Sequence, residues 1–320
     1  MIKHFLSFLL VIFFIASCGS SNPIKLTDKT LEGTKRPLGV WIKSTRTFDS
    51  NLSTNQTFGT LSSRGIKHID QLIRMQQNED KSFSIINESL LADFIYTAYS
   101  EGVTVNLFLE GNNLFNENNH KDTLSKLESI IDFNRNLYIS KGITIFGIKY
   151  RVDLEQSTDW ANNKESAIYN YLYYLKKAKT LLERENSTIK ISVDTNSAWA
   201  SSNYIISFDR EEKSFSSHII DIVDYITILS FSRSGDVTYS MISDELQYVR
   251  DEQFTYRVVP AMAVSPLLNS TTSFYGVDST IFWRELDKLQ EWVSQDKRVG
   301  MLIMIEDFDY LDQIPPIPAK

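Results

Sequence analysis

The sharpest chemical pattern in the sequence is a carboxylate pair, Asp153 and Glu155, where the β-rich run TIFGIKYRVDL ends. Residues two apart on a strand point to the same face. Two carboxylates held on one face repel, and one of them then keeps its proton to higher pH. A carboxyl group poised in this way can protonate a leaving oxygen. The plainer alternative is a pair of solvated acids ending a strand. Arg151 is four residues before Glu155, on the same face of a regular strand, where its charge would favour the ionised carboxylate. Other signatures are missing. His68, His120 and His218 show neither His-x-x-His nor His-Glu-x-x-His spacing, so no metal site is expected. No Gly-x-Ser-x-Gly elbow and no Gly-x-Gly-x-x-Gly turn occurs, so neither that hydrolase signature nor a dinucleotide site is indicated. No cofactor is expected.

Such residues need a scaffold, and the chain alternates short β-rich runs with amphipathic stretches. Strands are predicted at 37–42, 66–74, 103–109, 144–154, 189–193, 225–231, 257–264 and 299–305. The second of these also reads as a helix. Helical spacing covers 89–100, 123–139, 163–185, 239–251 and 281–295, with a helical turn at 219–223. Eight strands interleaved with helices predict an α/β fold, a single (β/α)8 TIM-type barrel spanning 37–312. An open doubly wound sheet is the alternative. The tail 313–320 ends in IPPIPAK, which cannot form a helix, so the final helix is short or missing.

In such a barrel, functional residues sit at the C-terminal ends of strands. That rule selects Trp41, Asn106, Glu110, Asp194 and Arg233 as candidate substrate-binding residues, with Trp199 and Trp160 in the loops beyond and Glu306 on strand eight. Trp41, Trp160 and Trp199 offer aromatic faces on which sugars stack, or they pack in the core or rim. Glu306 and Asp194 either pair with Glu155 across the mouth, with Glu306 an alternative acid, or are solvated strand ends.

Composition narrows the function. The chain has 320 residues, 33 Lys plus Arg and 40 Asp plus Glu, a net charge of −7. An acidic chain without a basic block is a poor partner for nucleic acid. One Cys excludes a disulfide framework or thiolate cluster. The start, MIKHFLSFLLVIFFIAS, has the charged opening and apolar centre of a signal peptide, too short for a confident membrane span. Ile15-Ala16-Ser17-Cys18 resembles the bacterial lipobox. The resemblance implies a signal peptide over 1–17, lipid on Cys18 and a polar tether over 18–36. The protein would then be anchored to a membrane of the cell envelope. Gly19 stands where an inner-membrane retention signal would have Asp, which points to the outer membrane in a Gram-negative cell.

The segment FGIKYRVDLEQSTDW, with SEGVTVNLFLEGNNLF before it and VDYITILSFSR after it, resembles the chitinase-like barrels related to glycoside hydrolase family 18. Asp153, Glu155 and Trp160 match that family's fourth-strand pattern. The resemblance implies an enzyme acting on an envelope or extracellular glycan, peptidoglycan fragments included. Glu155 would be its general acid and Asp153 its electrostatic partner, and the substrate's own acetamido group its nucleophile. The departures are specific. Ile148 and Arg151 occupy positions where the family has further Asp residues, Gln156 replaces a Pro, and Phe231 falls where a Tyr is expected. These losses point to an altered or abandoned activity, and the alternative is a glycan- or protein-binding barrel without turnover.

Overall fold

The computed structural model describes residues 35–314. Eight parallel strands close into a barrel: β1 (Leu38–Ile42), β2 (Ile66–Leu72), β3 (Thr104–Glu110), β4 (Gly147–Arg151), β5 (Lys190–Thr195), β6 (Tyr225–Ile228), β7 (Val258–Ala263) and β8 (Ile303–Glu306). Each pairs with its neighbour in sequence, and β1 closes on β8 through Leu38 opposite Ile303 and Val40 opposite Ile305. The chain is therefore an α/β barrel, and the open sheet is excluded.

The strands are buried on both faces, but the two faces differ in chemistry. Val40, Leu107, Ile148, Ile191, Ile226 and Ile305 point outward into the shell of helices. Alternate residues point inward, where Trp41, Phe108, Tyr225, Val259, Ala261 and Met304 form a second cluster. The period of two along a strand separates these layers.

The helices are α1 (Asn51–Ser63), α2 (Glu88–Ser100), α3 (His120–Lys141), α4 (Thr158–Asn162), α5 (Lys164–Arg184), α6 (Phe215–Ile222), α7 (Gly235–Ser240), α8 (Ser243–Asp251) and α9 (Ser279–Ser294). Helix α5 shows why such stretches fold as they do. The Asn163 side chain caps it by accepting from the Ser166 amide, and Ile168, Tyr171, Leu172, Leu175 and Leu182 line its buried side. Tyr169 and Tyr173 lie on the opposite, exposed side. Gly147 is required by close approach, since a Cβ there would lie 2.6 Å from the Lys190 carbonyl oxygen and 2.8 Å from Asn106 Oδ1.

Several boundaries differ from expectation. β4 ends at Arg151, three residues short of the predicted end, and Leu154–Gln156 is a 3-10 turn. β8 begins at Ile303, with Val299 making only an isolated bridge to Val258. The predicted helix at 239–251 is split into α7 and α8. After β8 the chain forms the 3-10 segment Phe308–Gln313. Arg36, assigned to the tether from sequence, is instead buried against α9, where its amide donates to Gln290 Oε1 at 2.7 Å. Two hairpins were not anticipated, Met75–Gln77 with Phe83–Ile85, and Ile205–Phe208 with Glu211–Ser214. The second turns through Asp209 and Arg210, both at positive φ, without the Asn-Gly or Asp-Gly pair that announces such turns. Among the described residues no helix is long and apolar enough to cross a membrane. Cys18, the signal peptide and the tail beyond Ile314 lie outside the described residues.

Candidate functional site

Inward positions of six strands build a polar network at the centre of the barrel. Lys149 of β4 is wholly buried, with Nζ 3.0 Å from Asp194 Oδ1 on β5 and 3.7 Å from Asp70 Oδ2 on β2. It also donates to Thr227 Oγ1 at 2.5 Å. Asp70 Oδ1 accepts from Asn106 Nδ2 at 2.7 Å and contacts His68 Nε2 at 3.0 Å. The Trp41 indole donates to Asp194 Oδ2 at 3.1 Å from the opposite strand, β1.

The electrostatics follow from one cation shared between two buried acids. Burial works against the charge of Lys149, but Asp194 and Asp70 outweigh it and its pKa is raised. Burial also opposes the ionisation of Asp70. Lys149, with hydrogen bonds from His68 and Asn106, overcomes that cost and lowers its pKa. Asp194 goes the other way, because burial there exceeds the help of Lys149 and Arg151. This core is filled and charge-balanced. Trp41, Asn106 and Asp194 are engaged inside it, and a sugar ring has no access to them in this arrangement.

Above this layer an ion pair crosses the mouth. Arg151, the last residue of β4, reaches Glu306, the last of β8, at 3.2 and 3.3 Å through its two terminal nitrogens. The two strands are diametrically opposed in the barrel order. Lys43, just beyond β1, pairs with the same Glu306 carboxylate and lies 3.9 Å from Asp307. Burial alone would raise the Glu306 pKa, yet Arg151 and Lys43 hold it below the ordinary carboxylate value. Glu306 is thus kept ionised, which argues against its use as the alternative acid. Burial pushes Asp307 up instead. The partner of Arg151 is Glu306, not Glu155 as the regular-strand reading implied. Glu110 is exposed at the end of β3 and adds to the field on Arg151.

Asp153 and Glu155 lie beyond the end of β4, in and beside the 3-10 turn, so they do not share the face of a strand. Asp153 is exposed and accepts from Gln156 Nε2 at 3.0 Å. Glu155 is also exposed, but two aromatic side chains hold it. The Trp199 indole donates to Oε1 at 3.2 Å and the Tyr204 hydroxyl donates to the same oxygen at 2.9 Å. Tyr204 in turn stacks on half-buried Trp160, with ring centroids 6.3 Å apart. Trp199 itself is buried against Phe215 and Tyr171, so it serves as a donor and offers no open face. Arg233 points its guanidinium at the carbonyls of Ser273 and Tyr275 and ties two rim loops together.

Expected and observed sites therefore divide. The rim unites Glu155, Trp160 and Trp199, while Trp41, Asn106 and Asp194 belong to the interior. Sequence reading missed Asp70, Lys149 and Tyr204. A lysine in the middle of the apolar run FGIKYRV was a usable signal for Lys149. No sequence pattern marks Tyr204, whose place depends on the second hairpin. Among the described residues no cluster of His, Cys, Asp and Glu is arranged to hold a metal.

A closed parallel barrel with polar side chains converging at the C-terminal ends of its strands defines the general class of α/β-barrel proteins. No protein-family profile and no curated protein matches the sequence. Among solved structures, a chitinase from Bacteroides thetaiotaomicron is similar at TM-score 0.53 and 12% identity, covering 88% of this chain and 96% of that one. The glycoside hydrolase domain of PgaB (BpsB) from Bordetella bronchiseptica is similar at TM-score 0.54 and 8% identity, covering 88% and 96%. A mutant of the GH18 chitinase from Cycas revoluta, in complex with (GlcNAc)4, is similar at TM-score 0.54 and 10% identity, covering 87% and 97%. At these identities the likeness is one of fold.

Proposed function

We propose that this protein binds an envelope or extracellular glycan at the rim beyond β4 and β5, held to a membrane by lipid on Cys18. The observation that carries the reading is the clamp on Glu155. Two aromatic donors fall on Oε1, which fixes the carboxylate and directs Oε2 to other partners. A fixed acceptor near the half-buried indole of Trp160 suits sugar hydroxyls and an apolar sugar face. Likeness in fold to chitinases, one of them bound to (GlcNAc)4, supports the ligand class. β1 starts from the end of the barrel opposite this rim, so a lipid-bearing N-terminal end would join the barrel away from the rim. In a Gram-negative cell the outer membrane would hold it.

Hydrolysis is the second reading. Exposed Asp153 and Glu155 beyond β4 favour it, with Glu155 as acid and Asp153 as modulator. Two features weigh against it. The inward positions of β4 hold Lys149 and Arg151, and the Arg151–Glu306 pair spans the mouth. The test uses soluble protein begun after Cys18, N-acetylglucosamine oligomers and peptidoglycan fragments, with calorimetry for binding and mass spectrometry for products. Binding without products, weakened when Trp160 is changed to Ala, supports the binding reading. Cleavage by the wild type that Glu155→Gln abolishes establishes the glycosidase. Failure to bind any of these ligands would sink the proposed ligand class.

A further inference from the structure

A groove of about 620 Å³ opens beside the Glu155 clamp, between the first turn of α5 and the strand Ile205–Phe208 of the second hairpin. It lies within the roughly 300–1,000 Å³ range of small-ligand sites. Tyr204 belongs to both places, since its hydroxyl donates to Glu155 while the residue lines the groove. Ile205 and Ile206 supply apolar wall, and exposed Asn203 supplies an amide with both donor and acceptor. Lys164 lines the same wall. Its ammonium donates to the Asn203 carbonyl at 3.2 Å and lies over the Tyr204 ring, 3.9 Å from the centroid.

We propose that this groove is an extension subsite for the same glycan, taking further sugars of an uncharged N-acetylhexosamine chain whose first contact is Glu155. The inference rests on the glycan-binding reading above. Its ligand class follows from the walls. Apolar surface meets the carbon face of a sugar ring, and Asn203 matches an acetamido group as donor and acceptor. The remaining Lys164 donors meet ring hydroxyls. The continuity through Tyr204 makes one chain spanning both places the economical occupant. Lys164 already covers one face of Tyr204, so that ring forms wall here and no stacking platform.

Calorimetry with N-acetylglucosamine oligomers of increasing length separates the outcomes. Wild-type affinity should rise by about tenfold from short to long oligomers as the chain enters the groove. Asn203→Ala, whose exposed side chain lines the groove, should cut that rise and leave short oligomers bound as before. Glu155→Ala should weaken every length. A wild type that binds short oligomers but gains nothing from length overturns the groove alone. A gain that survives Asn203→Ala in full overturns it too. No binding at any length overturns both the groove and the glycan reading. Matching thermal melts of the variants would keep a folding defect from imitating the result.

Discussion

Replacing Glu245 with Gln should stabilise the protein at alkaline pH and leave it nearly unchanged at pH 5. Glu245 lies on α8 with 1% exposure, and neither carboxylate oxygen has a hydrogen-bond partner of ordinary geometry. Burial pushes its pKa from 4.5 up to about 8, with Asp244 adding to the rise and Ser216 on α6 opposing it. In the unfolded chain the carboxyl ionises near its ordinary value, whereas the folded protein keeps the proton until about pH 8. The folded state therefore binds more protons between these values. Its contribution is whole below the unfolded pKa and is lost as pH rises through the folded one. At about 1.36 kcal/mol per pH unit, the roughly 3.5 units between them correspond to about 5 kcal/mol. Opening of α8 to water would reduce the measured figure to about 2–3 kcal/mol. Gln keeps the shape and the unpartnered polar group but cannot ionise. Urea unfolding of both proteins from pH 5 to pH 9 measures the difference directly. The two stability curves should meet near pH 5 and separate by several kcal/mol at pH 9. Parallel curves would refute the reasoning, because they would mean that Glu245 titrates alike in both states.

Other perturbations test the rest of the structure. Lys149→Met leaves Asp70 and Asp194 without their shared cation and should cost about 3–5 kcal/mol in urea unfolding. Adding Asp194→Asn should restore part of that loss, and no rescue would count against the pairing. Gly147→Ala places a Cβ against the Lys190 carbonyl and should lower stability by about 1–3 kcal/mol, seen as a reduced melting temperature. Cys18→Ser in the full chain should abolish palmitate labelling and release the protein from the membrane fraction. Labelling that persists would end the lipid-anchor proposal.

Local patterning determined most of the barrel. Runs such as YITI and VVPAMA are short and apolar throughout, as strands covered on both sides must be, and they became β6 and β7. The spacing of Ile168, Leu172 and Leu175 likewise announced α5. Such signals are carried by neighbours in sequence, so they are legible before folding. Strand ends are less so, because a strand stops where its partner stops. Four residues of β4, Gly147 to Tyr150, pair with β5, and its last, Arg151, is held by β3, which left Asp153 and Glu155 off the strand on which their shared face depended. The site shows the same division. Sequence placed Trp160 and Trp199 in loops at one end of the barrel and Glu155 at a strand end beside them. Only closure brought Arg151 across to Glu306, Trp41 to Asp194, and Lys149 between two acids more than 40 residues away on either side. Tyr204 reached Glu155 only because of its place beside a hairpin that no turn residue foretold. Residue type and period decide which side chains face inward, whereas which charges meet there is decided by strand order and register, and these exist only once the barrel is closed.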